Sequence, residues 1–209
     1  MKIHPIDHPL YTLEDLPDRV EKKPYLPPEE LLMGDDKIWI GNYIKTIPEE
    51  VWVPHPFLDY QCSNYGRIAS KDLSLIFPQF PMKDTEDYFL IRGVDGYYEF
   101  VYTLIAEAFL LKDNTRPWDS TIIHHITNNG WDNRHTNLVY TDLFQHAYSH
   151  NRLPEGWEDM EEEEVQKPLK KSLSAWWVMI KKSYNFRDWR ERSDMKDDYL
   201  YSLGRKRPF

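Results

Sequence analysis

The sequence predicts an α+β protein: a small antiparallel sheet, then a strand–loop–strand–helix unit, with an extended N-terminal arm and a C-terminal helix. Three observations carry that expectation. Two β-rich runs flank Asp95-Gly96 in YFLIRGVDGYYEFV, a dipeptide that tolerates the positive φ angles of a tight hairpin. TLIAEAFLL then places Leu104, Ile105, Ala108, Phe109 and Leu111 at helical spacing. Residues 121–150 hold a strand (TIIHHI), a polar loop, a second strand (NLVYT) and a helix (DLFQHAYSH), together with five of the eight histidines of the chain.

Taken in order, residues 1–48 read as an extended arm. Pro5, Pro9, Pro17, Pro24, Pro27 and Pro28 interrupt any long helix. PPEELL is placed to start a short helix with proline in its first turn, and KIWIGNYI alternates like a strand. Residues 49–100 form a small antiparallel β module, with Ser63, Asn64 and Gly66 turning the chain inside DYQCSNYGRIAS. Residues 101–153 carry the TLIAEAFLL helix and the ββα unit, whose helix has Thr141 as its expected N-cap. EGWEDMEEEE, within 154–168, is an acidic linker or the exposed first turn of a helix. Residues 169–209 form a basic, aromatic segment. KPLKKSLSAWWVMIKKSYNFRDWRERS reads as a helix with Leu173, Trp176, Trp177 and Ile180 on its apolar face.

Bulk properties narrow the function classes. A chain of 209 residues holds one medium domain or a small core domain with appendages. No run of about 18 apolar residues occurs, so no membrane span is expected. The first residues lack the apolar core of a secretory signal. The lone Cys62 has no internal disulfide partner, which fits a reducing cytoplasm. A net charge of −9 argues against simple electrostatic binding to nucleic acid. The charge is unevenly spread, however: residues 165–192 carry eight basic and two acidic groups.

Histidine spacing is the informative signal. His146 and His150 stand at i, i+4, so on a helix their rings share one face and can grip one ion. His124 and His125 are adjacent near a strand end, where successive side chains point to opposite faces. One is therefore expected at a metal and the other free for a different task. Asn137, with donor and acceptor on one side chain, suits the bracing of the polar loop NNGWDNRHTN.

IIHHITNNGWDNRHTNLVYTDLFQHAYSH resembles the motif of HNH (His-Asn-His) nucleases, whose ββα-metal or His-Me finger unit holds one divalent ion. Upstream, YQCSNYGRIAS resembles the "YxVSNxGRVxS" signature of the small module that precedes HNH sequences in phage homing endonucleases. VYTLIAEAFL resembles the "VHRLVAEAFL" helix of that family. The resemblance runs from about Val51 to Arg152, with three motifs in the right order. It implies a metal-dependent, phage-encoded endonuclease in which His125 is the general base and Asn137 braces the loop. It implies His124, His146 and His150 as metal ligands, His150 matching an extra helical histidine of the colicin-type branch. Three neutral imidazoles favour zinc, nickel or another transition metal over magnesium, with magnesium and manganese left open as the working ion because availability counts. The chain departs from the family where "VHR" is Val101-Tyr102-Thr103, where "HID" is His125-Ile126-Thr127, and where DNA-reading repeats are not recognisable.

Nucleic acid, DNA rather than RNA, is the expected partner. Arg134 in the loop and Lys170, Lys171, Lys181, Lys182, Arg187, Arg190 and Arg192 are the candidate phosphate contacts, with Arg205, Lys206 and Arg207 a weaker signal of the same kind. The plainer reading of the C-terminal segment is a helix that covers the core with a solvated lysine face. His135 is expected to be solvated, and Trp131, Trp176, Trp177 and Trp189 to pack on the core or a partner. Two other classes fit the acidic arm: an HNH scaffold that docks on structured RNA or a ribonucleoprotein such as the ribosome, and a nuclease subunit of a larger phage machine. In either, the arm and the C-terminal segment would be protein-partner surfaces.

Overall fold

A computed structural model of the chain describes residues 32–33, 38–39, 49–83, 88–113 and 122–204. Most of the arm 1–48 and Arg205, Lys206 and Arg207 lie outside the described residues. So does all of PPEELL except Leu32, which is extended rather than helical. Two short strands of the arm, β1 (Leu32–Met33) and β2 (Ile38–Trp39), pair antiparallel. The fold class is α+β, with small antiparallel sheets and four helices among the described residues.

Strands β3 (Trp52–Pro54), β4 (Tyr60–Ser63) and β5 (Ile68–Ser70) form one antiparallel sheet. Its β4–β5 turn is the SNYGR segment, and the motif is structural. Asn64 Oδ1 accepts from Val51 N at 2.8 Å, the buried Arg67 donates to Glu50, and Gly66 takes a φ of 79°. A Cβ at Gly66 would lie 2.9 Å from the backbone carbonyl of Asn133, so only glycine lets this turn approach the loop of the ββα unit. The second sheet is β6 (Phe80–Pro81), β7 (Phe89–Arg92) and β8 (Tyr98–Phe100), with the hairpin at Asp95-Gly96 where the sequence places it.

Helix α1 (Val101–Phe109) buries Val101, Leu104, Ile105, Ala106 and Glu107. Its apolar face joins Cys62 and Ile68 upstream, Leu138 and Tyr140 downstream, and Leu200 near the C-terminus in one cluster. The boundary expected at residues 100 and 101 thus falls inside a shared core. A second cluster, Met82, Leu90, Phe100, Ile180 and Tyr184, is walled by Trp176, Trp177 and Phe186.

The C-terminal segment differs from the single helix expected. Helix α3 (Glu162–Ser183) begins within the acidic stretch, with a Glu161/Glu164 capping box and two more acidic groups, Glu162 and Glu163, in its first turn. It stops at Tyr184, whose φ of −136° and ψ of 137° are extended. The break lets Tyr184 and Phe186 insert into the aromatic cluster, and lets Tyr98 N donate to Asn185 O at 2.9 Å. Helix α4 (Trp189–Ser202) follows. No helix among the described residues is long and apolar enough to cross a membrane.

Candidate metal centre

Strands β9 (Ile122–His125) and β10 (Leu138–Thr141) pair antiparallel with His124 opposite Val139 and His125 opposite Leu138. Helix α2 (Leu143–Ser149) follows at once. Its N-cap is Asp142, which accepts from Gln145 N at 2.8 Å, and not the expected Thr141. Thr141 is still in β10 and donates its hydroxyl to Gln145 Oε1. The next residue is the one with the extended backbone that precedes the first helical turn, and its carboxylate caps it.

This arrangement brings three of the predicted residues together. One ligand atom each from His124, His146 and His150 lies within 4.8 Å of the others. Ring centroids are 5.5 Å apart for His124 and His146, 5.1 Å for His124 and His150, and 4.5 Å for His146 and His150. Nitrogens around one tetrahedral ion at ~2.1 Å stand about 3.4 Å apart, so small ring rotations close the set. His124 Nδ1 is buried with no hydrogen-bond partner among the described residues, as a ligand atom awaiting a cation would be. Burial, together with the neighbouring imidazoles, holds the pKa of His124 and of His146 down at about 3, so both rings are neutral donors. The donor set therefore fits a divalent metal ion.

His125 faces the other way. Strand alternation sends it, with Ile123, Tyr140 and Leu138, to the hairpin face opposite His124. There its ring meets Tyr102 at 5.3 Å and Tyr88 at 5.9 Å. Its Nε2 lies 3.1 Å from Asn133 Oδ1, an acceptor that fixes the proton on Nε2 and leaves the lone pair on Nδ1. Burial lowers its pKa to about 4, partly offset by that hydrogen bond. The ring is neutral at pH 7.

The loop between the strands is held from inside. Asn137 Oδ1 accepts from Thr127 N at 3.0 Å while its Nδ2 donates to Asp132 O at 2.9 Å. Asp132, buried, accepts a fork from Arg134 at 2.8 and 2.7 Å. Arg134 is partly exposed but engaged in its own loop. His135 is only partly solvated: it stacks on Phe109 with centroids 4.6 Å apart, tying the loop to α1. Trp131 packs on Phe89.

Two predicted phosphate contacts are used elsewhere. Arg192 donates to Glu107 and Glu99, and Arg187 pairs with Asp95, Glu99 and Glu191. Around Glu107, His55 Nε2 lies at 3.0 Å and Lys196 Nζ at 2.7 Å. Although burial alone would raise its pKa, Arg192 and Lys196 hold the Glu107 carboxyl well below the usual range. These arginines fasten α4 to α1 and β8 rather than facing solvent. Lys170, Lys171, Lys181, Lys182 and Arg190 are exposed, Lys181 lying over the Trp177 ring and Arg190 over Trp189. Sequence reasoning passed over Arg152, an exposed residue folded back after α2 through its N–H to Ala147 O, whose charge is felt at His146. It also passed over the Asn133 contact that orients His125. The position of Arg152 two residues past His150 was the available signal.

No protein-family model matches the chain, and no curated protein does. One solved structure that resembles it is described as "DNA binding and cleavage by the HNH homing endonuclease I-HmuI". The two share 20% identity over 57% of this chain and 66% of that one, with a TM-score of 0.38.

Proposed function

We propose that this protein is a metal-dependent endonuclease of the HNH type, hydrolysing phosphodiester bonds in nucleic acid, DNA in preference to RNA. The observation that supports this most is the convergence of His124, His146 and His150 from a strand and the following helix, with His125 at the next strand position. His124, His146 and His150 would hold a single divalent ion, for which three neutral nitrogens favour zinc, nickel or another transition metal over magnesium. When bound, that ion supplies positive charge that offsets the charge developing on the phosphate and the leaving 3′ oxygen. His125, neutral and turned to the other face of the strand but close enough to His124 and His146 for its charge to be felt at both, takes a proton from the attacking water as general base. The resulting hydroxide bonds to phosphorus, the P–O3′ bond breaks, the leaving 3′ oxygen takes a proton from solvent water, and the products carry 5′-phosphate and 3′-hydroxyl ends. Asn137 braces the loop that carries Asn133, and Asn133 keeps the His125 ring in its tautomer. Arg134, Lys170, Lys171, Lys181, Lys182 and Arg190 contribute backbone charge, while Arg187 and Arg192 act inside the fold.

The test is incubation of supercoiled plasmid and of structured RNA with magnesium, manganese, nickel or zinc, beside a His125→Ala control. Nicking by the wild type that the control lacks supports the proposal. No cleavage by either, with binding to structured RNA retained, would favour the docking-factor reading instead.

A further inference from the structure

On the face of the β9–β10 hairpin that carries Tyr140, bounded also by α3 and α4, lies a cavity of about 620 Å³ that the histidine site does not use. That volume is ordinary for a small-ligand pocket, roughly 300–1,000 Å³. Its walls are aromatic: Phe100, Trp176, Trp177 and Phe186 line it, and Phe100 lies nearly parallel to both Trp176 and Phe186. Tyr140, opposite Ile123 in the strand register, also lines it. Its hydroxyl is buried and has no hydrogen-bond partner among the described residues. Buried Glu99 lines the same cavity; its Oε1 accepts no hydrogen bond there and lies 3.5 Å from Arg187 Nε. Buried polar atoms are rarely left unsatisfied, so each of these calls for a partner in the cavity. Three lining residues are exposed, Ser174, Lys181 and Trp189, of which the last two offer a cation and a stacking surface.

Flat apolar walls, a few unsatisfied polar groups and a cation at the rim suit a planar heterocycle attached to a phosphate. We propose that this cavity receives one unstacked nucleobase of the bound strand, read at its edge by the Tyr140 hydroxyl and the Glu99 carboxylate, with Lys181 meeting its phosphate. The carboxylate favours a base with an exocyclic amine, since it can only accept. Aromatic walls hold the ring by stacking, as in single-strand binding proteins. Tyr102 lines the cavity and also touches His125, so an occupied cavity stands one aromatic ring from the proposed general base. The assignment of the strand as ligand rests on the nuclease reading.

The experiment uses the full chain in chelator, so that binding is read without turnover. Three probes are titrated: a single-stranded oligonucleotide with one 2-aminopurine, the same strand abasic at that position, and free 2-aminopurine nucleoside monophosphate. The expected result is a saturable change in 2-aminopurine fluorescence on the strand, affinity about tenfold weaker in Tyr140→Phe, and weaker binding of the abasic strand. Trp189→Ala, at an exposed position, gives a second loss that does not depend on the core. Equal affinity for the wild type and Tyr140→Phe, equal affinity for the base-containing and abasic strands, or no binding at all overturns the proposal. Binding of the free nucleotide alone reassigns the cavity to a free ligand and also overturns it. Absent metal-dependent nicking with Tyr140-dependent strand binding intact would sink the nuclease reading and leave the cavity assignment standing.

Discussion

Replacing Asn137 with alanine removes two hydrogen bonds that close the loop between β9 and β10, to Thr127 N and to Asp132 O. Each such bond is worth about 1 kcal/mol net, and a buried carbonyl left unpaired adds a desolvation cost of about 1–3 kcal/mol. Asp132 and Asn137 are both buried, so the expected destabilisation is about 3–5 kcal/mol. For a chain of this size that lowers Tm by roughly 6–20 °C. Urea unfolding followed by tryptophan fluorescence, in chelator to remove any metal linkage, reads it directly. Asn137→Asp is the informative companion. It keeps the acceptor for Thr127 N but points an acceptor at Asp132 O, so at pH 7 it should be at least as damaging as alanine. Acidification should relieve it, because the protonated carboxyl regains a donor. An alanine variant within about 0.5 kcal/mol of wild type, the scatter of neutral surface changes, would refute the bracing role.

Other consequences follow from the same contacts. Gly66→Ala should cost more than an ordinary Gly→Ala change, about 2 kcal/mol or more, because it combines a positive φ with a 2.9 Å approach to Asn133; urea midpoints compare it with Gly96→Ala, which meets nothing within 4 Å. Arg192→Met should destabilise by about 3 kcal/mol, the low end for breaking a buried pair, since it removes the guanidinium shared by Glu107 and Glu99 but leaves Lys196 beside the first and Arg187 beside the second; Lys170→Ala should leave the urea midpoint unchanged. Burial holds His55 below its ordinary pKa of 6.5, only partly offset by Glu107, with Arg192 and Lys196 opposing its charge. As pH falls through 6.5 the unfolded chain takes up a proton that the folded chain refuses, so stability drops by up to about 1.4 kcal/mol per pH unit for this group. The stability difference between wild type and His55→Gln should therefore shrink or reverse from pH 7 to pH 5; a pH-independent difference would contradict it.

The ββα unit was legible because its signals are local. Spacing on β9 and α2 determines which imidazoles share a face, and one dipeptide, Asp95-Gly96, marks the β7–β8 hairpin. Asn137 was legible as a brace because few side chains offer both a donor and an acceptor to a loop. The C-terminal arginines were not. Arg187 and Arg192 look like a basic patch until Glu99 and Glu107, more than 80 residues earlier, are brought beneath them. Buried charge pairing is a long-range property, and a run of lysines and arginines carries no record of it. The break at Tyr184 had only a weak local signal, Ser, Tyr, Asn and Phe being indifferent helix formers, and the aromatic cluster around Phe100 decides where it falls. Thr141 and Asp142 are both good caps, and only the end of β10 decides between them.

The proposed function requires one ion held jointly by His124 of β9 and by His146 and His150 at the end of α2. Anomalous diffraction at the zinc edge from crystals grown with zinc tests it most directly. A single strong peak about 2.0–2.1 Å from one nitrogen each of His124, His146 and His150 is the predicted result. A clean map at those three rings, with zinc elsewhere or nowhere, would contradict it.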